Sequence, residues 1–340
     1  MALFKIMMGP MSEFAVVLSD KVGDALNEQG YTLIHFLKVF FKSSDVQVVS
    51  TQDVRQLRPT TWLFLFLPSS LVPDNLAGLR FKHLVLCDYL DSIILSGYTT
   101  DNLSNFRKLA CGYLRTAYRR DINYGIPMGT LPLRMPTVLQ HQWGIPVKSL
   151  ARRQFDAIFL GVPTYNSESG VAYHQRVEWL LELVGKCRFF GGLLDSPTYP
   201  RADLEAIFGD LSAIYFKGKP LSPFLFSHYL RQSKVALLPT GHSRWTYRHY
   251  EAVYAGCVPV STDVAGIQTF VPLPTAAVMV PDHAPLLPTL RAILADLAGY
   301  QDFVNQHLTE MSRWLHRGQF SQKQPEALHR FMAQLDGFLA

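Results

Sequence analysis

Cysteine is scarce in this chain. There are four in 340 residues (Cys87, Cys111, Cys187 and Cys257), with no CxxC and no neighbouring histidine pair. That spacing argues against a disulfide framework and a zinc site, and packed, reduced thiols in a reducing compartment are expected. Charge is sparse as well: charged residues are 17% of the total and the formal net charge is +5. So dilute a positive field does not suit nucleic acid, and it fits anionic small molecules or an anionic surface. No apolar run reaches the roughly 20 residues that cross a bilayer, and the densest, Trp62–Leu67, has the length of a strand. The N-terminus carries one lysine, a very short apolar stretch and no small-residue cleavage pattern, so a secretory leader is not expected and a cytoplasmic location is. GxxxxGK[ST], GxGxxG after a strand, GxSxG and HExxH are all missing. Their absence sets aside P-loop hydrolysis, dinucleotide redox and α/β-hydrolase chemistry. No Asp-x-Asp pair occurs to hold a cation against a diphosphate, so arginines, lysines and helix N-termini would meet such charge and no metal or other cofactor is expected.

Apolar residues are plentiful, at 48% with a mean hydropathy of +0.08, and the length suits two domains of about 150 residues. In the first half, continuously apolar runs at Phe14–Leu18, Val46–Val49, Trp62–Leu67 and His83–Cys87 read as strands. Helical spacing appears at Tyr31–Lys42 and Asn105–Arg119. Buried strands alternating with helices imply a parallel sheet covered on both faces. Proline-rich Ile126–Val147 reads as a linker. The alternation then restarts, with strands at Ala157–Leu160, Arg188–Phe190, Lys234–Leu238, Val258–Ser261 and Ala277–Val280. Helices are expected at Val171–Val184, Pro223–Gln232 and Arg248–Ala255, and a mostly helical tail over Leu286–Leu339. The expected fold is α/β: two doubly wound, Rossmann-like parallel sheets facing a cleft, over 1–145 and 150–318, with a helix at 319–340 packing back toward the first domain.

Ser233–Val260 (SKVALLPTGHSRWTYRHYEAVYAGCVPV) is the richest segment. A buried strand runs out into Pro239-Thr240-Gly241, the carboxyl end where open α/β sheets bind ligands. The polar loop beyond it contains Ser243 and Arg244 and leads into a short helix. There Arg248 and Glu251 stand three residues apart, on one face near the N-terminus. A carboxylate in that place can accept both hydroxyls of a ribose, while guanidinium groups and free N–H groups take phosphate oxygens. The bland alternative for the pair is a solvated i, i+3 contact, which the surrounding pattern disfavours.

The succession S-K-x-x-L-x-P-x-G, R-x-x-E-A and A-G-C-V-P-V resembles the nucleotide-sugar-binding half of GT-B glycosyltransferases, closest to the exostosin-like and family-1-like groups. It covers about 30 residues, with Phe155–Gly161 matching the first strand of that domain. The resemblance implies that Glu251 binds the donor's ribose and that Arg248 lies against its phosphates. Gly241, Ser243, Arg244, Arg176 and Lys219 join them as donor-site candidates. For Arg176 on a polar helix, and for Lys217 and Lys219 in a loop, a solvated role competes closely. Many retaining members carry a second Glu eight residues before the ribose Glu; Ser243 occupies that position here, which favours inversion.

An inverting transfer needs a general base on the acceptor side. Asp88 and Asp91, just after an apolar strand, are the candidates, with Asp20 and His35 as rivals and helix capping as the bland reading of either aspartate. The implied partners are a nucleotide-sugar donor and a carbohydrate or lipid-linked acceptor. The aromatic and basic stretch Leu33–Lys42 leaves room for peripheral membrane contact, although a buried helix covering the sheet explains its spacing better. Two other functions fit the same fold, a nucleotide-sugar epimerase or hydrolase and a non-catalytic binding protein.

Overall fold

The computed structural model describes residues 12–18, 24–67, 69–88, 97–132, 147–164, 174–219, 221–241, 243–273 and 278–340. Asp20, Asp91 and most of the expected linker lie outside the described residues. The chain divides into two units. One joins Met1–Arg134 to Gly266–Val271 and Trp314–Ala340; the other joins Met135–Ala265 to Pro272–Arg313.

The first unit is built on a six-stranded sheet. Its strands are β1 (Ser12–Leu18), β2 (Val46–Ser50), β3 (Thr60–Phe66), β4 (Phe81–Cys87), β5 (Ala110–Arg115) and β7 (Met128–Thr130), in the order β2-β1-β3-β4-β5-β7. Every pairing is parallel. Leu63, Phe64 and Leu65 have no exposed surface, because a parallel strand is covered on both faces and an unbroken apolar run is what it requires. Helix α1 (Asp24–Phe40) buries Phe36 completely, with Phe40, Phe270, Phe320 and Phe331 all within 5.4 Å, centroid to centroid. The aromatics of Leu33–Lys42 therefore serve the core, and membrane contact gains no support from them.

Asn105–Arg119 departs from the helix its spacing suggests. Helix α2 (Gly97–Phe106) ends there, and the chain continues as β5 and β6 (Ala117–Arg119). Phe106, Leu109, Tyr113 and Ala117 recur at helical intervals, yet β5 lies between β4 and β7 and takes its hydrogen bonds from both. Gly112 permits a close approach in that position, since a Cβ there would sit 2.4 Å from the Phe338 ring. The expected linker likewise holds a strand, β7, whose Thr130 backbone is bonded at both ends by the Gln334 amide of the C-terminal helix α9 (Pro325–Gly337).

The second unit carries a five-stranded parallel sheet. It comprises β8 (Phe155–Gly161), β9 (Phe189–Leu193), β10 (Ser233–Leu238), β11 (Val258–Ser261) and β12 (Val278–Met279), in the order β12-β11-β10-β8-β9. Beyond the helices expected from the sequence, α4 (Arg201–Phe208) lies between β9 and α5. One sheet face packs Phe159, Val235 and Leu237 against α3 (Gln175–Leu183), α7 (Leu286–Ala295) and α8 (Leu297–Ser312). On the other, Ile158, Ala236 and Leu238 meet α5 (Pro223–Arg231) and α6 (Arg248–Tyr254). Strand order reverses beside β8, with β9 on one side and β10 on the other. That is the topological switch point where such sheets bind ligands at the carboxyl end. The expected helical tail is α7, α8 and α9, the last belonging to the first unit. Among the described residues no helix is long and apolar enough to cross a membrane.

Candidate functional site

Two arginines and one glutamate converge at the carboxyl ends of β8 and β10. Arg176, in the first turn of α3, reaches over β8 and donates from Nη1 to the Val162 carbonyl at 2.6 Å. Its guanidinium lies over the Phe159 ring at 5.7 Å, and its Nε is buried without a partner. Gly241 lies close beside it: a Cβ at that position would come within 2.4 Å of Arg176 Nη2 and displace that guanidinium. Arg248 opens α6 with its guanidinium 4.5 Å from the Phe226 ring centroid. Glu251 stands one turn on. Arg248 and Glu251 line a narrow, mostly apolar recess of about 10 Å³ together with Phe226, Leu230 and Leu238, room for a single water.

Among the described residues neither the Arg248 guanidinium nor the Glu251 carboxylate forms an ion pair. Burial lowers the pKa of Arg248, with Glu251 pulling the other way. Burial and the Arg248 charge together push Arg176 down to about 10, so it stays protonated at neutral pH. Burial raises Glu251, against the pull of Arg248. Two guanidinium groups held in a poorly solvated place with one carboxylate beside them leave a net positive charge, which favours an anionic ligand.

The other candidates fall into different places. Ser243 is buried with its Oγ unpartnered, and its carbonyl accepts the Gly241 N–H at 3.0 Å. Arg244, expected on phosphate, is instead held by Asp282 in a two-pronged ion pair at 3.0 and 2.5 Å. Lys219 is exposed in the loop before α5. Asp88 follows directly on β4, where the sequence places it, but has no exposed surface. It accepts from the Tyr113 hydroxyl and lies 3.2 Å from Arg115 Nε, itself fully buried. Burial would lower Arg115, yet the charge of Asp88 holds it raised. Asp88 thus anchors a buried ionic network and offers no open carboxylate to an acceptor. His35 is exposed on α1. Cys257 is packed as expected, its Sγ 2.9 Å from the Leu230 carbonyl and its thiol pushed up to about 11 by burial.

Several supporting residues escape a reading by motif. The Thr240 N–H donates to Gln175 Oε1 at 2.7 Å, tying the turn after β10 to α3. His249, wholly buried, joins Ser261 Oγ through Nε2 and Thr246 through Nδ1. Burial pushes its pKa down to about 4, so it is neutral at pH 7. Thr164 Oγ1 and Trp245 Nε1 are buried and unpartnered like Ser243 Oγ. Lys234 of the S-K motif pairs with Asp156 at 2.7 Å at the opposite end of the sheet, so its role is structural.

No family model matches the chain and no curated protein matches it in sequence. Solved structures do. An α,α-trehalose-phosphate synthase (UDP-forming) from Burkholderia vietnamiensis is 13% identical, with 97% of this chain and 98% of that one covered at a TM-score of 0.55. Anabaena HepE in complex with UDP is 11% identical over 96% and 100%, at 0.52. A trehalose-6-phosphate synthase described for glycosyl transfer with retention is 13% identical over 96% and 99%, also at 0.52. At such identities the likeness is one of fold: this chain has the GT-B fold of glycosyltransferases.

Proposed function

We propose that the protein is a glycosyltransferase that moves a sugar from a nucleoside-diphosphate sugar to a hydroxyl of a glycan or other carbohydrate acceptor. The observation that carries this reading is the pair Arg176 and Arg248, two buried guanidinium groups with only Glu251 as a nearby carboxylate, at the switch point of a GT-B unit. In this reading Arg248 and Arg176 hold the diphosphate and Glu251 accepts the ribose hydroxyls. The recess before Glu251 admits only a water, so the Phe226 ring moves aside when the ribose enters. As the glycosidic oxygen departs, charge builds on the diphosphate, and groups already oriented toward it stabilise the transition state.

Inversion is part of the proposal, supported by Ser243 at the position where many retaining relatives carry Glu. Retention by a structural neighbour is a property of that protein. An acceptor oxygen would attack the anomeric carbon from the face opposite the diphosphate while a carboxylate removes its proton. With Asp88 committed to Arg115 and Tyr113, Asp91 is the base we propose. Charge neutralisation by arginine makes the transfer metal-independent in this account, so EDTA should leave the rate unchanged. Incubation with a panel of nucleotide sugars, with and without acceptor sugars, tests the reading. Product requiring both substrates, with inverted configuration by NMR, supports it. Rapid epimerisation or hydrolysis of the donor alone would replace it.

A further inference from the structure

Helix α3 carries two residues whose contacts, with one ion pair, form a closed circuit around the segment between β10 and α6. Gln175 accepts the Thr240 N–H at 2.7 Å, fixing the start of the loop. Glu182, two turns further along the same helix, accepts the N–H groups of Leu286 and Leu287 at 2.7 and 2.8 Å, fixing the start of α7. Between those anchored points one side-chain tie completes the ring. Arg244 in the middle of the loop meets Asp282 just before α7, 38 residues away, in two parallel hydrogen bonds. Beside Asp282 the chain bends sharply through His283, whose φ of 61° is unusual for a residue other than glycine. The Arg244 side chain is 15% exposed and that of Asp282 32%. Flanking Arg244 on the loop are Ser243 and Trp245, each with a buried polar atom that has no partner. Arg176, the second guanidinium of the site, sits on α3 between the two anchors.

We infer that Arg244 and Asp282 form a latch that positions residues 243–246, which lead into α6 and Arg248, and that Arg244 is a positioning residue and not a phosphate ligand. A carboxylate that grips both guanidinium prongs satisfies Arg244 within the protein and leaves Arg176 and Arg248 as the cations that face an anion. With the latch open, residues 243–246 keep the Gly241–Ser243 bond and the bonds of Thr246 to His249 and Arg248, but they lose their tie to the start of α7, and Ser243 Oγ and Trp245 Nε1 are directed less firmly. Small displacements of positioned groups cost affinity and rate steeply. This inference rests on the donor-site reading given above.

Charge reversal separates the two roles of Arg244. Asp282→Asn, Arg244→Gln, Arg244→Asp and the double variant Arg244→Asp with Asp282→Arg are purified, and UDP, GDP, ADP and TDP are titrated against each by calorimetry, with melting temperature as a check on folding. The latch predicts that each single variant weakens the diphosphate bound by the parent about tenfold or more. Melting temperature should change by only a few degrees, as for a partly exposed ion pair. The swapped pair should recover to within about threefold of the parent, because the tie is rebuilt with its polarity reversed. Weak binding that persists in a folded, swapped variant overturns the latch and makes Arg244 a direct ligand. Unchanged affinity in the single variants overturns it too. A parent that binds none of the four diphosphates removes the donor-site reading itself, and the latch with it, a result distinct from either of these.

Discussion

Glu251, Arg176 and Arg248 are held in protonation states that burial opposes, and this makes them a liability to the empty fold. For Glu251 the sign is clear. Its pKa is raised in the folded chain, so its contribution to stability is full below the unfolded value near 4.5 and is lost as pH rises through the folded value. Glu251→Gln should therefore raise the melting temperature at pH 7 to 8, with the gain fading toward pH 4, while donor KM rises tenfold or more. A melting temperature that falls at neutral pH would contradict this. His249 shows the opposite dependence. Its folded pKa of about 4 lies below the unfolded 6.5, so neutral His249 contributes about 3 kcal/mol above pH 6.5. That contribution is lost as pH falls through about 4. Denaturant unfolding of the parent and of His249→Gln at pH 7 and pH 4 should show the parent losing about that much more than the variant. The i, i+3 spacing put Glu251 and Arg248 on one helix face, and the motif around them, through its resemblance to GT-B enzymes, made the pair legible as a site. Asp282 and Gln175 were not, because their contacts with Arg244 and Thr240 span 38 and 65 residues.

Elements fared according to how completely they are buried. Strands β1, β3, β4, β8, β10 and β11 stand where unbroken apolar runs place them, because a parallel strand covered on both faces leaves that mark. Strand β5 did not, since its apolar residues fall at helical intervals and only its neighbours β4 and β7 decide its form. The association of α9 with the first unit has a specific physical basis in two close approaches. Gly129 as well as Gly112 gives way to the Phe338 ring, and Gln334 bonds both the N–H and the carbonyl of Thr130. Gly112→Ala overpacks this contact and should destabilise the first unit by about 1–3 kcal/mol. Gln334→Ala leaves buried backbone groups unpaired at a cost of a similar order, about 1–3 kcal/mol. Both are measured by denaturant midpoint, and neither should alter nucleotide affinity, because the proposed donor-site residues Arg176, Arg248 and Glu251 all belong to the second unit.

At the scale of the whole molecule, the two parallel sheets and the likeness to GT-B structures establish the architecture. The proposed chemistry rests on one place in the second unit, where a reversal of strand order meets two buried arginines and a single glutamate. The most direct test is calorimetric titration of nucleoside diphosphates into the parent, Arg176→Gln, Arg248→Gln and Glu251→Ala. One diphosphate should bind the parent, and each arginine variant should bind it roughly 10- to 100-fold more weakly, the effect of removing one charge-assisted contact. Glu251→Ala should lose affinity for the diphosphate while its binding of inorganic pyrophosphate, which has no ribose, stays unchanged. A parent that binds no diphosphate, or variants that bind as tightly as the parent, would contradict the account.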